Sequence, residues 1–230
     1  ALKTFLSLRE SNPAPYGGYL KLGGLEIVSS SPEQFLKVSA SGKVSSKPIK
    51  GTRPRSKDLA EDAQIADELV NNEKERAENL MIVDLMRNDL GRFCEADSIV
   101  VEKLFDIESY ATVHQLVSTV TGTLKAGQSA TSALAAGFPA GSMTGAPKIR
   151  AVEILRELEA APRDIYSGAF GYLGFDGSAD FGMTIRTLVF DGNSATLGVG
   201  GGITIDSDPA SEFEETMLKS KALLRALEGN

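Results

Sequence analysis

Cysteine, histidine and clustered positive charge are what this chain has least of. Its 230 residues hold one cysteine, Cys94, and one histidine, His114. A single thiol excludes an internal disulfide framework and any zinc site built on cysteines, and this usage is that of a reducing compartment, so the cytoplasm is the expected location. One imidazole and one thiol far apart in sequence give no pattern for an imidazole-assisted nucleophile. The formal net charge is −7 with both signs mixed along the chain, whereas binding the nucleic-acid backbone demands gathered Lys and Arg, so no nucleic-acid partner is expected. The longest apolar stretch, around Leu80–Val83, is far too short to span a bilayer, and residues 1–10 carry no signal-peptide pattern, so no membrane partner is expected. No Pro/Gly/Ser-rich linker or charge block interrupts the chain, which predicts a single domain over residues 1–230.

What is present is ordinary for a globular protein with a sizeable core: 42% hydrophobic and 24% charged residues. Short β-like runs at 18–22, 26–29 and 35–39 are broken by Gly23-Gly24 and Ser41-Gly42 turns. From Lys57 to Phe93 the period turns helical, with Leu59, Ala63, Ala66 and Val70 on one predicted face and a second helix from about Glu73. Strands are predicted again at 99–105 and 113–124, and helices at 130–136 and 147–158, the latter opened by Pro147. Four strands at 168–174, 182–190, 195–199 and 202–205 and a helix over 209–227 complete the pattern. Blocks of strands and blocks of helices without strict βαβ alternation predict an α+β fold with antiparallel sheets.

Several features could carry chemistry. Glu75 and Glu78 are three apart, as are Glu212 and Glu215, so each pair shares a helix face and could offer oxygen ligands. In an acidic chain the same spacing also reads as a solvated face. Glu78, however, enters Leu80-Met81-Ile82-Val83-Asp84-Leu85-Met86, apolar nearly all round, and a carboxylate entering a buried helix needs a partner. With no His or Cys alongside, a hard cation such as Mg²⁺ suits these groups better than Zn²⁺. The run Gly200-Gly201-Gly202 could present backbone N–H groups to an anion, or make a tight bend. It is no dinucleotide fingerprint, because no helix opens directly after it, and Gly141–Lys148 is no P-loop, because Pro147 lacks a needed N–H and Ile149 replaces the required Ser or Thr. His114 shares its strand face with Leu116, Ser118 and Val120 and reads equally as a structural histidine. Lys50 sits between Pro48-Ile49 and Gly51-Thr52, an unusual setting for a solvated lysine.

These segments occur together in an order that resembles one family. SPEQFL at 31–36, PIKGTRPR at 48–55, LMIVDLMRNDLGR at 80–92, HQLVS at 114–118, FPAGSMTGAPK at 138–148, YSGAFGYLG at 166–174 and SDPASEFEET at 207–216 are similar to the signatures of the chorismate-utilising enzymes, over nearly the whole chain. That family includes anthranilate, aminodeoxychorismate, isochorismate and salicylate synthases. The resemblance implies an α+β fold of two large antiparallel sheets, packed together and flanked by helices. It also implies that the chain is the C-terminal portion of a longer one, because family domains carry further elements before Asn12–Tyr16.

By matching motifs, the resemblance implies Glu78 and Glu215 as direct Mg²⁺ ligands with Glu75 and Glu212 in support. It further implies Tyr166, Arg186, the amides of Gly200, Gly201 and Gly202, and Lys219 around the substrate's pyruvyl carboxylate, and His114 and Ser142 beside the substrate. Lys50 falls where the anthranilate branch typically has alanine, and PIKGT is similar to the aminodeoxychorismate branch. The implied reaction is amination of chorismate with Lys50 as nucleophile and Glu33 as leaving-group acid, toward para-aminobenzoate and folate. Ammonia would then come from a glutamine amidotransferase subunit or domain. Anthranilate synthesis, or a non-catalytic binding or regulatory fragment, are the alternatives this reading leaves open.

Overall fold

A computed structural model describes residues 1–228 of the chain. It contains two antiparallel sheets and divides into two compact units. Ala1–Pro32, Arg163–Ala169 and the chain from Met183 onward form the first unit, and Glu33–Pro162 with Phe170–Gly182 form the second. Both are assembled from separated stretches, which is why no linker composition marks a boundary.

The first unit holds a four-stranded sheet in the order β1, β2, β10, β11: Tyr16–Leu22, Leu25–Ser31, Thr187–Asp191 and Ser194–Leu197. Two helices, α1 (Leu2–Ser11) and α6 (Pro209–Glu228), belong with it. Their apolar stripes meet the sheet in a core of Leu8, Val28, Leu188, Leu223 and Ala226, flanked by Phe5 and Tyr19, whose rings lie 6.1 Å apart. Helix α1 was not predicted. Packing against the sheet, rather than propensity, supports the helix.

In the second unit β7 (Val113–Thr123) is the central strand. Along one side it pairs with β6 (Val100–Ser109); along the other it pairs first with β5 (Ile49–Pro54) and then with β4 (Lys43–Lys47). These last two strands lie end to end, separated by Pro48, whose carbonyl accepts from the Ser118 amide at 3.2 Å. Proline has no N–H to give the ladder, so the strand breaks there. The sheet continues through β3 (Gln34–Val38) to β9 (Ala179–Met183) and β8 (Ala169–Leu173). Helices α2 (Leu59–Asn71), α3 (Glu73–Gly91), α4 (Ala130–Gly137) and α5 (Lys148–Leu158) complete this part.

Four local expectations are corrected. The stretch predicted as one strand over 182–190 is two, β9 and β10, in different sheets, separated at Arg186 with φ 49°. Residues 202–205 form no strand, because the glycine run before them carries no side chains to pack. On α2 the buried positions are Asp62 and Leu69, while Leu59 is 83% exposed, so the predicted apolar face is rotated toward a carboxylate. Helix α3 is likewise only half buried. Asn79, Ile82, Val83, Leu85, Met86, Asp89 and Leu90 are covered, and Leu80 and Met81 are exposed.

Candidate active site

In the second unit Lys50, Glu75, Glu78 and His114 stand on regular elements. Lys50 lies on β5 opposite Leu116, at the point where the register shifts between Lys50 and Thr52. Gly51 makes that bulge possible. Its φ is 76°, and a Cβ there would lie 2.8 Å from Leu69 Cδ1 and 3.0 Å from Glu75 Cδ. Glycine therefore lets the backbone beside Lys50 approach α3 where Glu75 leaves it.

Glu75 is fixed from two directions: its amide donates to the Asn72 side chain at 3.0 Å as part of the helix N-cap, and its carboxylate pairs with Arg53 Nη1 at 3.4 Å. Glu78 lies one turn on, mostly buried, with Lys74 Nζ at 4.0 Å. Between this helix and β7 the Ser118 hydroxyl donates to Asn79 Oδ1 and accepts from the Phe105 amide at 3.1 Å. Glu33 is buried at the start of the unit, immediately before β3, and Ser142 stands in a 3₁₀ turn over Gly141–Met143.

His114 is engaged at both ring nitrogens. Nε2 lies 3.0 Å from Asp62 Oδ1, and Nδ1 lies 2.7 Å from Ser109 Oγ. Asp62 is in turn gripped by Arg55, whose Nε and Nη2 donate at 2.8 Å and 2.6 Å, and by the Ser56 amide at 2.9 Å. The Arg55 guanidinium, helped by the Ser56 amide and His114, holds the Asp62 carboxyl well below the usual carboxylate range despite its burial. An ionised carboxylate only accepts, which assigns a proton to Nε2.

In the first unit Tyr166, Arg186 and the glycine run stand on irregular backbone, while Glu212, Glu215 and Lys219 stand on α6. Tyr166 stands beside Gly198 and Gly200. A Cβ on Gly198 would fall 2.2 Å from Tyr166 Cγ, and one on Gly200 would fall 3.0 Å from the phenol oxygen. Arg163 lies over the Tyr166 ring, 5.8 Å from its centroid. From α6, Lys219 donates to the Gly200 carbonyl at 3.2 Å and pairs with Glu215 at 2.7 Å. Glu212 is buried, with the Ser207 hydroxyl donating to it at 2.8 Å, and its other oxygen would be 3.2 Å from a Cβ on Gly201. A hollow of about 320 Å³ beside it is lined by Ile203, Ser207, Pro209, Glu212, Phe213 and Thr216. Ser167 and Arg186 both have positive φ, at 66° and 49°, uncommon for side chains other than glycine and concentrated at functional sites.

Six predicted residues thus fall in the second unit, namely Glu33, Lys50, Glu75, Glu78, His114 and Ser142. The first unit brings together Tyr166, the glycine run, Glu212, Glu215 and Lys219, with Arg186 between β9 and β10. Within either unit, among the described residues, no three carboxylate, imidazole or thiol groups converge on one point. Sequence reasoning missed Arg53, Arg55, Asp62, Ser109 and Gly198. A carboxylate at a position that should face the core would have flagged Asp62. A second cavity of about 390 Å³ in the first unit is lined by residues that include Leu8, Arg9, Asn12, Ser29 and Ser30.

Comparison with known proteins places this arrangement. Residues 1–225 match the family model described as chorismate binding enzyme. Aminodeoxychorismate synthase of Streptomyces griseus is 51% identical over 224 residues, which cover 97% of this chain and 31% of that protein. Anthranilate synthase component 1 of Methanothermobacter marburgensis is 47% identical over 227 residues, 99% of this chain and 49% of that protein. Among solved structures, anthranilate synthase component I from Streptococcus pneumoniae TIGR4 superposes with a TM-score of 0.86 at 38% identity, covering 96% of this chain and 48% of that one. The chain therefore spans a third to a half of the length of these relatives. With the match running from Ala1 into α6 and through every motif above, this chain belongs to the chorismate binding enzyme family.

Proposed function

We propose that this chain is the catalytic portion of an aminodeoxychorismate synthase, which converts chorismate and ammonia to 4-amino-4-deoxychorismate and water. The observation that carries the reading is Lys50, set on β5 at a bulge next to Gly51, whose backbone approaches Glu75 of α3, in a chain 51% identical to a protein of that name. Among the described residues the Lys50 ammonium forms no ion pair. Lys50 adds to ring carbon 2 as the free amine, the ring double bonds shift, and the hydroxyl on carbon 4 leaves as water with a proton from Glu33. Ammonia then adds at carbon 4, the double bonds shift back and the lysine amine departs, so pyruvate stays on the ring.

Carboxylate oxygens suit Mg²⁺, and each unit offers a pair three residues apart on a helix, Glu75 and Glu78 on α3 and Glu212 and Glu215 on α6. Bound there, the ion would supply Lewis-acid polarisation at the ring carboxylate. Lys219 neutralises Glu215 at 2.7 Å, so metal binding competes with that ion pair. Tyr166, Arg186, the glycine amides and Lys219 orient the pyruvyl carboxylate, while His114 and Ser142 border the ring. A glutamine amidotransferase supplies the ammonia. No helix among the described residues is long and apolar enough to cross a membrane, and we place the reaction in the cytoplasm.

Incubating the full-length protein with chorismate, ammonium and Mg²⁺ tests the reading by product analysis. 4-Amino-4-deoxychorismate is expected, and anthranilate with pyruvate would transfer the chain to the branch represented by its 47%-identical relative. Without ammonia a ring-derived mass should accumulate on the Lys50 peptide and be absent from Lys50→Ala. Wild-type amination by Lys50→Ala would remove Lys50 from the mechanism.

A further inference from the structure

The segment between α4 and α5, residues 137–148, carries Ser142 and is seated on α3 at two places. Gly141 opens its 3₁₀ turn so close to the helix that a Cβ there would lie 2.6 Å from Met86 Cε and 2.7 Å from Leu85 Cδ2. One turn further along α3, Asp89 Oδ2 meets Lys148 Nζ at 2.6 Å. The same ammonium donates to the Pro139 carbonyl at 2.8 Å and the Gly137 carbonyl at 3.3 Å. All three of its N–H donors are used. The two carbonyls belong to the start of the segment and Lys148 to its end, so one charged group closes the loop with Ser142 inside it.

Both partners are nearly covered, with side chains 14% and 8% exposed. Burial pushes the Asp89 carboxyl up, against the pull of Lys148 and Arg92. A buried ion pair is weak evidence of stabilisation, since apolar residues of similar volume often serve stability as well or better. What apolar residues cannot do is tie two carbonyls and a helix to a single point. Helix α3 also carries Glu75 and Glu78, and at 1.5 Å per residue Glu78 and Asp89 are about 16 Å apart along one rigid rod.

We propose that Lys148 is a positioning residue, whose ammonium clips residues 137–148 onto α3 so that Ser142 is held in fixed relation to Glu75 and Glu78. What Ser142 then contacts rests on the function proposed above; the clip itself does not.

The test uses the full-length protein and its Lys148→Met, Lys148→Arg and Asp89→Asn variants, read by hydrogen exchange and by steady-state kinetics with chorismate. In Lys148→Met the amides of residues 140–146 should exchange about tenfold faster while those of β7 are unchanged, and chorismate KM should rise about tenfold with kcat little altered, the size of one lost charge-assisted hydrogen bond. Lys148→Arg should recover part of both effects, since it keeps charge and donors. A folded Lys148→Met with wild-type loop exchange and KM overturns the proposal. So does uniformly faster exchange with unchanged KM, which would make the pair a support of the fold alone. Where Lys148→Met does not fold, Asp89→Asn decides by the same two readouts, with an effect of about threefold expected from losing the charge but keeping an acceptor. If the wild type turns over no chorismate, the proposed function falls while the exchange measurements still decide the clip.

Discussion

The two units place their candidate residues by opposite means. In the second, charge does the placing: Arg55 holds Asp62, Asp62 holds His114, Arg53 holds Glu75 and Lys148 holds the loop around Ser142. In the first, missing side chains do it, because Gly198, Gly200 and Gly201 leave room for Tyr166, Glu212 and Lys219 to close on the backbone. The difference is one of tolerance. A network of ions depends on pH and on complementary partners, whereas a close backbone approach fails as soon as one methyl group is added.

The largest effect that would sharpen this contrast is expected from Gly198→Ala. Its methyl would overlap Tyr166 Cγ, an atom next to the backbone that cannot swing away. Overpacking of this kind costs on the order of 1–3 kcal/mol, read as a lowered Tm, and chorismate use should fall with it. An unchanged Tm would show that the glycine run is looser than described. Asp62→Asn should have a smaller effect and one that depends on pH. Because the folded carboxyl sits below its ordinary value of 3.8, its contribution is complete above that value and is lost as pH falls beneath it. The Tm difference between wild type and variant should therefore be full near neutrality and shrink below pH 3.8. A gap that is constant with pH would break the comparison. The smallest effect is expected from Lys43→Ala, which removes an ion pair with Glu102 at 3.4 Å whose side chains are 59% and 50% exposed. Tm should barely move, within about 0.5 kcal/mol, as for other solvated pairs.

Much of this could be read in the sequence, and what could not has physical reasons. β2, β7 and α6 announce themselves by period, and the spacing of the glutamates places each pair on a helix, Glu75 and Glu78 on α3 and Glu212 and Glu215 on α6. Strands β4 and β5 were missed because KVSSK holds only lysine and serine around one valine and IKGTRP is broken by glycine and proline, and their burial comes from neighbouring strands. The charge networks were missed because their members are distant in sequence. Asp62 and His114 are 52 residues apart, and Asp89 and Lys148 are 59 apart. Nothing local to either residue of such a pair signals the other, and a carboxylate on a helix is by default assigned to solvent.

The way the units interleave has a consequence for how the chain is made. Its path passes from one unit to the other four times, and Ser29 on β2 finds its hydrogen-bond partner Thr187 only after 158 further residues. At ribosomal speeds of roughly 5–20 residues per second, the hairpin of β1 and β2 waits on the order of 8–30 s for β10, with one strand edge open throughout. An open edge is a template for pairing with another chain. The first unit is thus the vulnerable one during synthesis.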